Sequence, residues 1–497
     1  MKAAKYINFM GILLCFATGL NAQNYNDALR HSRTQYLGTA RFNAMGGSFG
    51  ALGGDISAVS VNPAGIGVYR NSEFTFTTGF YLNQNEATYR NTLRDDNKLN
   101  FNLGNIGYVA SYKGDPNGWK NYSFGISYNR IGSFHEEQEI AGTNTNDNSI
   151  VIDYVDILNN ESPDVTDVEN YAYPFGPSHA FYTFMIDTIG RNSYVRFGPI
   201  TSAVRQSELT SKRGSMNDFN FSFGGNYQDR LYLGIAASLI SSSYEEDRTF
   251  RESYEYSPPP QSNEFLPTEY EERTNLIING TGFTARIGAI YKATQAIRLG
   301  AAIHIPTLWG FREEYSFNAE SKFSDGTEFD QEQETFSNWE YRIQSPWRYN
   351  ASAAYIHKNS GMINIDYEYV DYSTMRFDDR KDFKTSYSFE NQEIREVLQG
   401  THNIRIGAEY RVEPFVIRGG YRLEADPFNA SEFNSNPDRS RVTYSLGSGF
   451  RTGNYNFDVT YMQSQSSYQD PVYNASDVNA SINETEHHLL FTMGWRW

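Results

Sequence analysis

Greasy and polar side chains take turns along most of this chain. From Arg273 to Tyr291, Ile277, Phe283, Ala285, Ile287 and Tyr291 fall on one parity, and Gly282, Thr284, Arg286 and Gly288 on the other. Further on, Phe415, Ile417, Tyr421 and Leu423 oppose Val416, Arg418, Gly420 and Arg422. At the end, Leu489, Phe491, Met493, Trp495 and Trp497 oppose Leu490, Thr492, Gly494 and Arg496. A period of two with one apolar and one polar, glycine-rich face marks a strand covered on one side only. Fourteen such strands are predicted: Glu73–Asn83, Phe101–Lys113, Asn121–Glu137, Asp218–Tyr227, Leu231–Asp247, Arg273–Tyr291, Ile297–Tyr315, Trp339–His357, Met362–Met375, His402–Arg411, Phe415–Leu423, Arg441–Arg451, Tyr455–Gln463 and Glu486–Trp497.

The connections alternate. Tight turns such as Gly114–Gly118, Gln228–Arg230, Val412–Pro414 and Thr452–Asn454 lie on one side, and long polar segments on the other. An even strand count with short turns at one end and long loops at the other is the plan of an outer-membrane barrel. Closure removes every sheet edge, which hydrocarbon demands. The apolar face then meets lipid, with Tyr and Trp suited to the interfacial girdles. A soluble sandwich or propeller is the competing fold. Strands of ten or more residues and the asymmetry of the connections argue against it.

Composition adds an address. Lys2 and Lys5 precede an apolar run, Ile7 to Leu20, and the small-residue site Leu20-Asn21-Ala22, so residues 1–22 read as a secretory signal peptide. The run is shorter than the ~20 residues of a spanning helix. The one cysteine, Cys15, lies within it, so the mature chain has no disulfide and no thiol chemistry. With 37 tyrosines, 34 phenylalanines and a mean hydropathy of −0.60, the chain is aromatic yet polar on average, as alternating strands require. The net charge of −17 disfavours nucleic acid.

Residues 23–72 precede the first strand. A short helix is expected around Asp27–Leu29, and Ala40 to Arg70 is crowded with glycine and small residues. Within it stands Asn62-Pro63-Ala64-Gly65. Pro63 fixes its own φ and biases Asn62 towards an extended backbone. Gly65 and Gly67 allow a sharp change of direction. Such a segment packs closely against a wall and is read as a hatch inside the barrel formed by residues 73–497. An ordinary turn leading into the first strand is the plainer reading.

The strand count, the glycine-rich start (Gly46-Gly47, Asp55-Ile56-Ser57-Ala58) and Asn62-Pro63-Ala64-Gly65-Ile66 together resemble the FadL/TodX family of outer-membrane transporters for long-chain fatty acids and aromatic hydrocarbons. The run departs from the family pattern after Asp55, where a second acid and a threonine are usual and Ile56-Ser57 stand here. The resemblance implies an all-β transmembrane barrel in the outer membrane of a Gram-negative bacterium. Its hatch shifts when a hydrophobic ligand binds, and the ligand leaves sideways into membrane lipid. The chain also ends on an aromatic, Trp497, which resembles the terminal-strand signal by which outer-membrane barrels are recognised for insertion, so the barrel-assembly machinery is an expected partner. A monomer is expected.

Between the third and fourth strands, Val151, Tyr154, Val155 and Leu158, and then Phe181, Phe184 and Met185, have helical spacing. They are candidates for an external landing groove, with simple loop packing as the alternative. A third short helix is expected at Gln392–Gln399. Strand parity turns Arg286, Arg298, His304, Asp366, Glu368, Arg405, Glu409, Arg418 and Arg422 inward. Arg286, Arg405, Arg418 and Arg422 are candidates for holding a ligand carboxylate, because guanidinium presents a fork of donors. A network bracing wall and hatch is the expectation for most of them.

No His-Glu-x-x-His occurs, and Gly46–Gly54 lacks the Gly-Lys-Ser/Thr run of a phosphate loop. His487 and His488 face opposite sides of a strand and make a poor metal pair. No catalytic residue, metal or cofactor is expected, and an outer-membrane lipase is the enzymatic alternative. The sequence therefore points to a passive transporter of hydrophobic small molecules, fatty acids or similar. A FadL-like barrel that binds protein in secretion or attachment is the second reading.

Overall fold

The computed structural model describes residues 24–332, 336–358, 360–378, 386–429, 438–473, 476 and 478–497. The signal peptide expected at residues 1–22 lies outside the described residues. The strands form one antiparallel sheet that closes into a barrel of fourteen. They are β1 (Glu73–Tyr89), β2 (Thr92–Lys113), β3 (Trp119–Ser133, resumed at Glu136–Asn144), β4 (Ala203–Tyr227), β5 (Leu231–Glu255) and β6 (Pro267–Lys292). Next come β7 (Ile297–His304 and Leu308–Phe323), β8 (Phe336–Gln344 and Arg348–His357), β9 (Gly361–Asp371) and β10 (Gly400–Val412). The last are β11 (Phe415–Glu424), β12 (Arg441–Thr452), β13 (Tyr455–Asp470) and β14 (Ala480–Arg496). Pairing of Glu73 with Arg496 through to Thr88 with Ser481 closes the ring.

The expected parity holds. On β14, Phe491, Met493 and Trp495 point outward while Leu490 and Thr492 are buried. On β6 Phe283, Ile287 and Tyr291 point out while Thr284 and Arg286 are buried. The outward residues of all strands make a continuous apolar band. An exposed apolar surface of that extent marks contact with lipid.

Two expectations are corrected. The first external connection is not a long loop. β1 and β2 meet through Arg90 and Asn91, both in the left-handed region (φ 46° and 63°), as a two-residue hairpin demands. The strands also run further beyond the lipid than the apolar pattern indicates. β4, β5 and β6 have 25, 25 and 26 residues, against 11 in β9 and 10 in β11, so the wall is tall on one side.

The N-terminal segment fills the lumen near the tight-turn end. It contains α1 (Tyr25–Ser32), α2 (Ala40–Ala44) and two 3-10 turns, Ile56–Ser60 and Pro63–Val68. The wall admits it because inward positions at its level are glycine. A Cβ on Gly234 would overlap the Pro63 carbonyl, one on Gly300 the Gly50 carbonyl, and one on Gly420 the Gly46 nitrogen. Gly234→Leu should therefore unseat the hatch corner, at a cost of about 1–3 kcal/mol of the kind overpacking brings. In planar bilayers the wild type is expected to be nearly closed to ions and the variant to leak. Equal conductance would contradict this seating.

Candidate functional site

The hatch corner is built by Asn62. Its backbone is extended, its Oδ1 accepts from Ala64 N at 3.0 Å, and its Nδ2 donates to Gly50 O at 2.7 Å and Ala289 O at 3.1 Å. One side chain thus caps the turn, ties the hatch to itself and ties it to β6. Pro63 opens the turn, where a missing N–H costs nothing. Ala64 is fully buried, and Gly65 donates to Asn62 O while accepting from Gly54 N.

The four candidate arginines are all engaged. Arg286 pairs with Asp218 at 2.9 Å and donates to Ser238. Arg405 lies 3.5 Å from Glu368, donates to Asn350 and stacks over Tyr36 of the hatch. Arg418 joins Glu409 at 2.8 Å to Asp458 at 2.6 Å, and Arg41 of the hatch reaches the same Glu409 at 3.2 Å. Arg422 donates to the carbonyls of Gly46 and Tyr36. Asp366 accepts from the amides of Phe49 and Gly50. The charges brace the wall and hold the hatch. Tyr36, Arg41 and Arg348 belong to this network, and sequence reasoning missed Tyr36 and Arg41 because Glu368 and Glu409, their partners, are more than three hundred positions away.

The insertion after β3 is a stopper in the outer mouth. It contains α3 (Ile150–Glu161), α4 (Val165–Glu169) and α5 (Pro177–Tyr182). Val151, Tyr154 and Leu158 of α3 pack against Phe250, Tyr270 and Phe317 of the tall wall. Tyr154 donates to the buried Glu272 at 2.6 Å, and Ile150 N donates to Glu252 at 2.9 Å. Met185 is fully buried in this cluster and Phe181 packs on its edge. Phe184 points outward, half exposed, with its ring 4.5 Å from Phe329. Phe329, Phe323, Phe265 and Phe197 extend it into an aromatic group on the outer rim. The third helix, α6 (Ser388–Val397), lies over the low side, with Ile394 and Val397 buried.

Outward of the hatch lies a chamber of about 270 Å³, lined by hatch and wall. Its lining is as much apolar as polar and is rich in charge, with Arg30, Arg348, Arg441 and Lys212 among the cations and Glu368 and Glu486 among the acids. Beside it, α1 presents Ala28, Leu29 and His31 to an apolar sector of the wall, where the His31 ring lies 4.3 Å from Phe311.

The chamber reaches the wall at β3. The β2–β3 ladder runs from Lys113–Asn121 to Asn105–Asn129 and stops there among the described residues. Beyond it β2 pairs only with β1, and β3 shifts register between Arg130 and Gly132 before breaking at Phe134 and His135. Side chains re-close the wall higher up, where Asn85 donates to Glu137 O at 2.8 Å and Lys98 to Glu136 O at 3.4 Å. The hatch backs the unpaired stretch. Gln35 N donates to Ile131 O at 2.9 Å, and Gly104 of β2 faces the Gly38 carbonyl. Residues 132–136 line the chamber. The result is a stretch of wall without a β2–β3 ladder, beside the chamber and backed by Gln35–Gly38.

Two outcomes are expected from these contacts. Arg418→Ala leaves Glu409 and Asp458 buried with a lost partner, a loss of about 3–5 kcal/mol when one side of a buried pair is removed. Urea unfolding from vesicles reads it, and an unchanged midpoint would contradict the bracing. His179 of α5 is fully buried, neither ring nitrogen has a hydrogen-bond partner, and burial pushes it down to about 4 from 6.5. The unfolded stopper takes up a proton that the folded one refuses, so stability is full above pH 6.5 and falls as the pH drops towards 4. Hydrogen exchange in α3 and α5 should accelerate over that window in the wild type and much less in His179→Phe.

No family model matches the chain, and no curated protein matches its sequence. Solved structures do match it. The P. putida toluene transporter TodX is 13% identical over 93% of this chain and 99% of its own, with a TM-score of 0.51. A TodX monoaromatic hydrocarbon channel mutant, deltaS2, gives 12%, 92%, 98% and 0.54. A Pseudomonas aeruginosa FadL homologue gives 11%, 93%, 98% and 0.50. At these identities the likeness is one of fold: the chain has the hatch-filled barrel fold of the FadL/TodX-type outer-membrane channels.

Proposed function

We propose that this protein is a passive channel in the outer membrane of a Gram-negative cell. It takes up hydrophobic small molecules, long-chain fatty acids or similar, and releases them sideways through the β2–β3 window. The observation that carries the reading is the unpaired wall stretch above Asn105 and Asn129, which opens on the chamber and is shuttered by Gln35–Gly38. Solved structures of the same fold, named as toluene and monoaromatic hydrocarbon channels, support it. The exposed rings of Phe184 and Phe265 offer a first contact outside. Exit through the wall delivers an apolar molecule to lipid and spares it the water a straight pore would hold. The barrel-assembly machinery inserts the chain, which works as a monomer in outer-membrane lipid.

The second reading, a barrel that binds a protein partner, is favoured by one observation: both ends are stoppered, with an exposed aromatic rim. Native mass spectrometry after gentle extraction separates the two, since a lipid-sized adduct supports transport and a stable protein partner with an empty lumen supports binding.

Transport requires the shutter to move. Ala40 N lies 2.7 Å from Thr492 Oγ1, so Ala40→Cys with Thr492→Cys places two thiols for a hatch-to-wall disulfide in a mature chain that otherwise has no cysteine. Oxidation should abolish palmitate uptake by vesicles holding the protein, and dithiothreitol should restore it. Uptake unaffected by a fully formed crosslink would refute the gate.

A further inference from the structure

The chamber is lined by charged side chains as well as apolar surface. Most of its charges are already satisfied: Arg348 by Glu368 and the Ser32 carbonyl, Arg441 by Glu484 and Glu486, and Lys212 by Glu136. Two opposite charges are not. The side chains of Arg33, just after α1, and Glu424, at the outer end of β11, both half-buried, form no hydrogen bond or ion pair among the described residues, and both line the chamber. Both lie within electrostatic reach of the Tyr372 side chain, so they serve the same part of the chamber. On the same lining, Ser133 Oγ and Gln35 Oε1 are buried without partners. A buried polar group without a partner is costly, and a ligand that supplies one recovers that cost.

The surroundings are apolar in two directions. On one side is the sector covered by α1, with Trp309 and Phe311. On the other is the window, whose outer lip carries Leu99 and Phe101, 66% and 62% exposed, with Phe80 5.6 Å from Phe101. At about 270 Å³ the chamber falls below the usual range for whole-ligand pockets, about 300–1,000 Å³, so it holds a head group while a tail lies outside it.

From this arrangement we propose that the chamber binds the zwitterionic head of a single-chain amphiphile. Arg33 takes its anionic group, Glu424 its cationic group, and the chain runs out through the β2–β3 window. This rests on the transport reading for the route and narrows its ligand class. An uncharged hydrocarbon leaves both side chains unsatisfied, and a simple fatty acid leaves Glu424 so.

The test is equilibrium binding of radiolabelled palmitoyl-lysophosphatidylcholine to the mature protein in phosphatidylglycerol nanodiscs, where the bilayer supplies no competing zwitterion. Saturable binding is expected, weakened about tenfold in each of R33Q and E424Q, as loss of one charged hydrogen bond implies. The Arg33 and Glu424 side chains form no hydrogen bond or ion pair among the described residues, so both variants should keep the wild-type melting temperature. Palmitate, hexadecane and glycerophosphocholine (the head without a chain) should each compete at least about tenfold more weakly. Wild-type affinity in both variants, or equal competition by palmitate or hexadecane, would overturn the proposal. Equal competition by glycerophosphocholine would show a free polar solute as the ligand and overturn it as well. Palmitate uptake by R33Q and E424Q reports separately on transport: uptake retained alongside unselective binding removes this inference and leaves the channel standing.

Discussion

A peptide group in hydrocarbon has no water to bond. Every N–H and C=O that crosses the membrane must find its partner in the protein, and a closed sheet is one of two ways to do so. The rest of this molecule follows from that choice. Closure turns one face of each strand to lipid and the other to a lumen, which makes the period of two compulsory along the spanning part. It also creates an interior too wide for wall side chains alone, and the chain fills it from both ends.

The two fillings differ in kind. The hatch is seated backbone to backbone, on glycines at Gly234, Gly300 and Gly420, and then locked by buried arginines and carboxylates. Arg41, Arg418 and Glu409 link hatch and wall in one cluster. The stopper is held largely by apolar packing, with Val151 and Leu158 fully buried and Tyr154 bonded to Glu272. The weak place is the stretch of β2 and β3 without a ladder. Its backbone is satisfied in part by the hatch itself, through Gln35 and Ile131. On the proposed route, a wall that borrows a hydrogen bond from its plug is closed only while the plug is home. That links closure of the membrane barrier to the position of a short, extended piece of chain.

Most of the spanning architecture is legible in the sequence because lipid enforces alternation. Ile287 and Arg286, or Phe491 and Leu490, can be sorted by parity alone. Beyond the lipid that pressure ends. The tips of β1 and β2 have polar residues on both faces, so Gln84–Asn100 reads as loop although it is a paired hairpin, and its Arg90-Asn91 turn lacks the usual glycine. The same holds for Ala203–Asn217 of β4. At the site, the Asn62–Gly65 corner announces itself through proline, glycine and a capping side chain, all local features. The arginines' partners do not, since Arg41 and Glu409 meet only through the fold. Helical spacing also misleads at Phe184, because α5 ends at Tyr182 and Phe184 is left-handed (φ 58°), which sends its ring outward while Met185 goes in.

The claim at the centre of this account is that Gln35–Gly38 shutters a window in the wall. Spin labels at Leu37 and Phe101 in the full mature chain, placed in lipid, measure it by pulsed electron resonance. A single short distance is expected without ligand, with a second, longer population appearing when a transported amphiphile is added. An unchanged distance distribution under conditions of active uptake would contradict it.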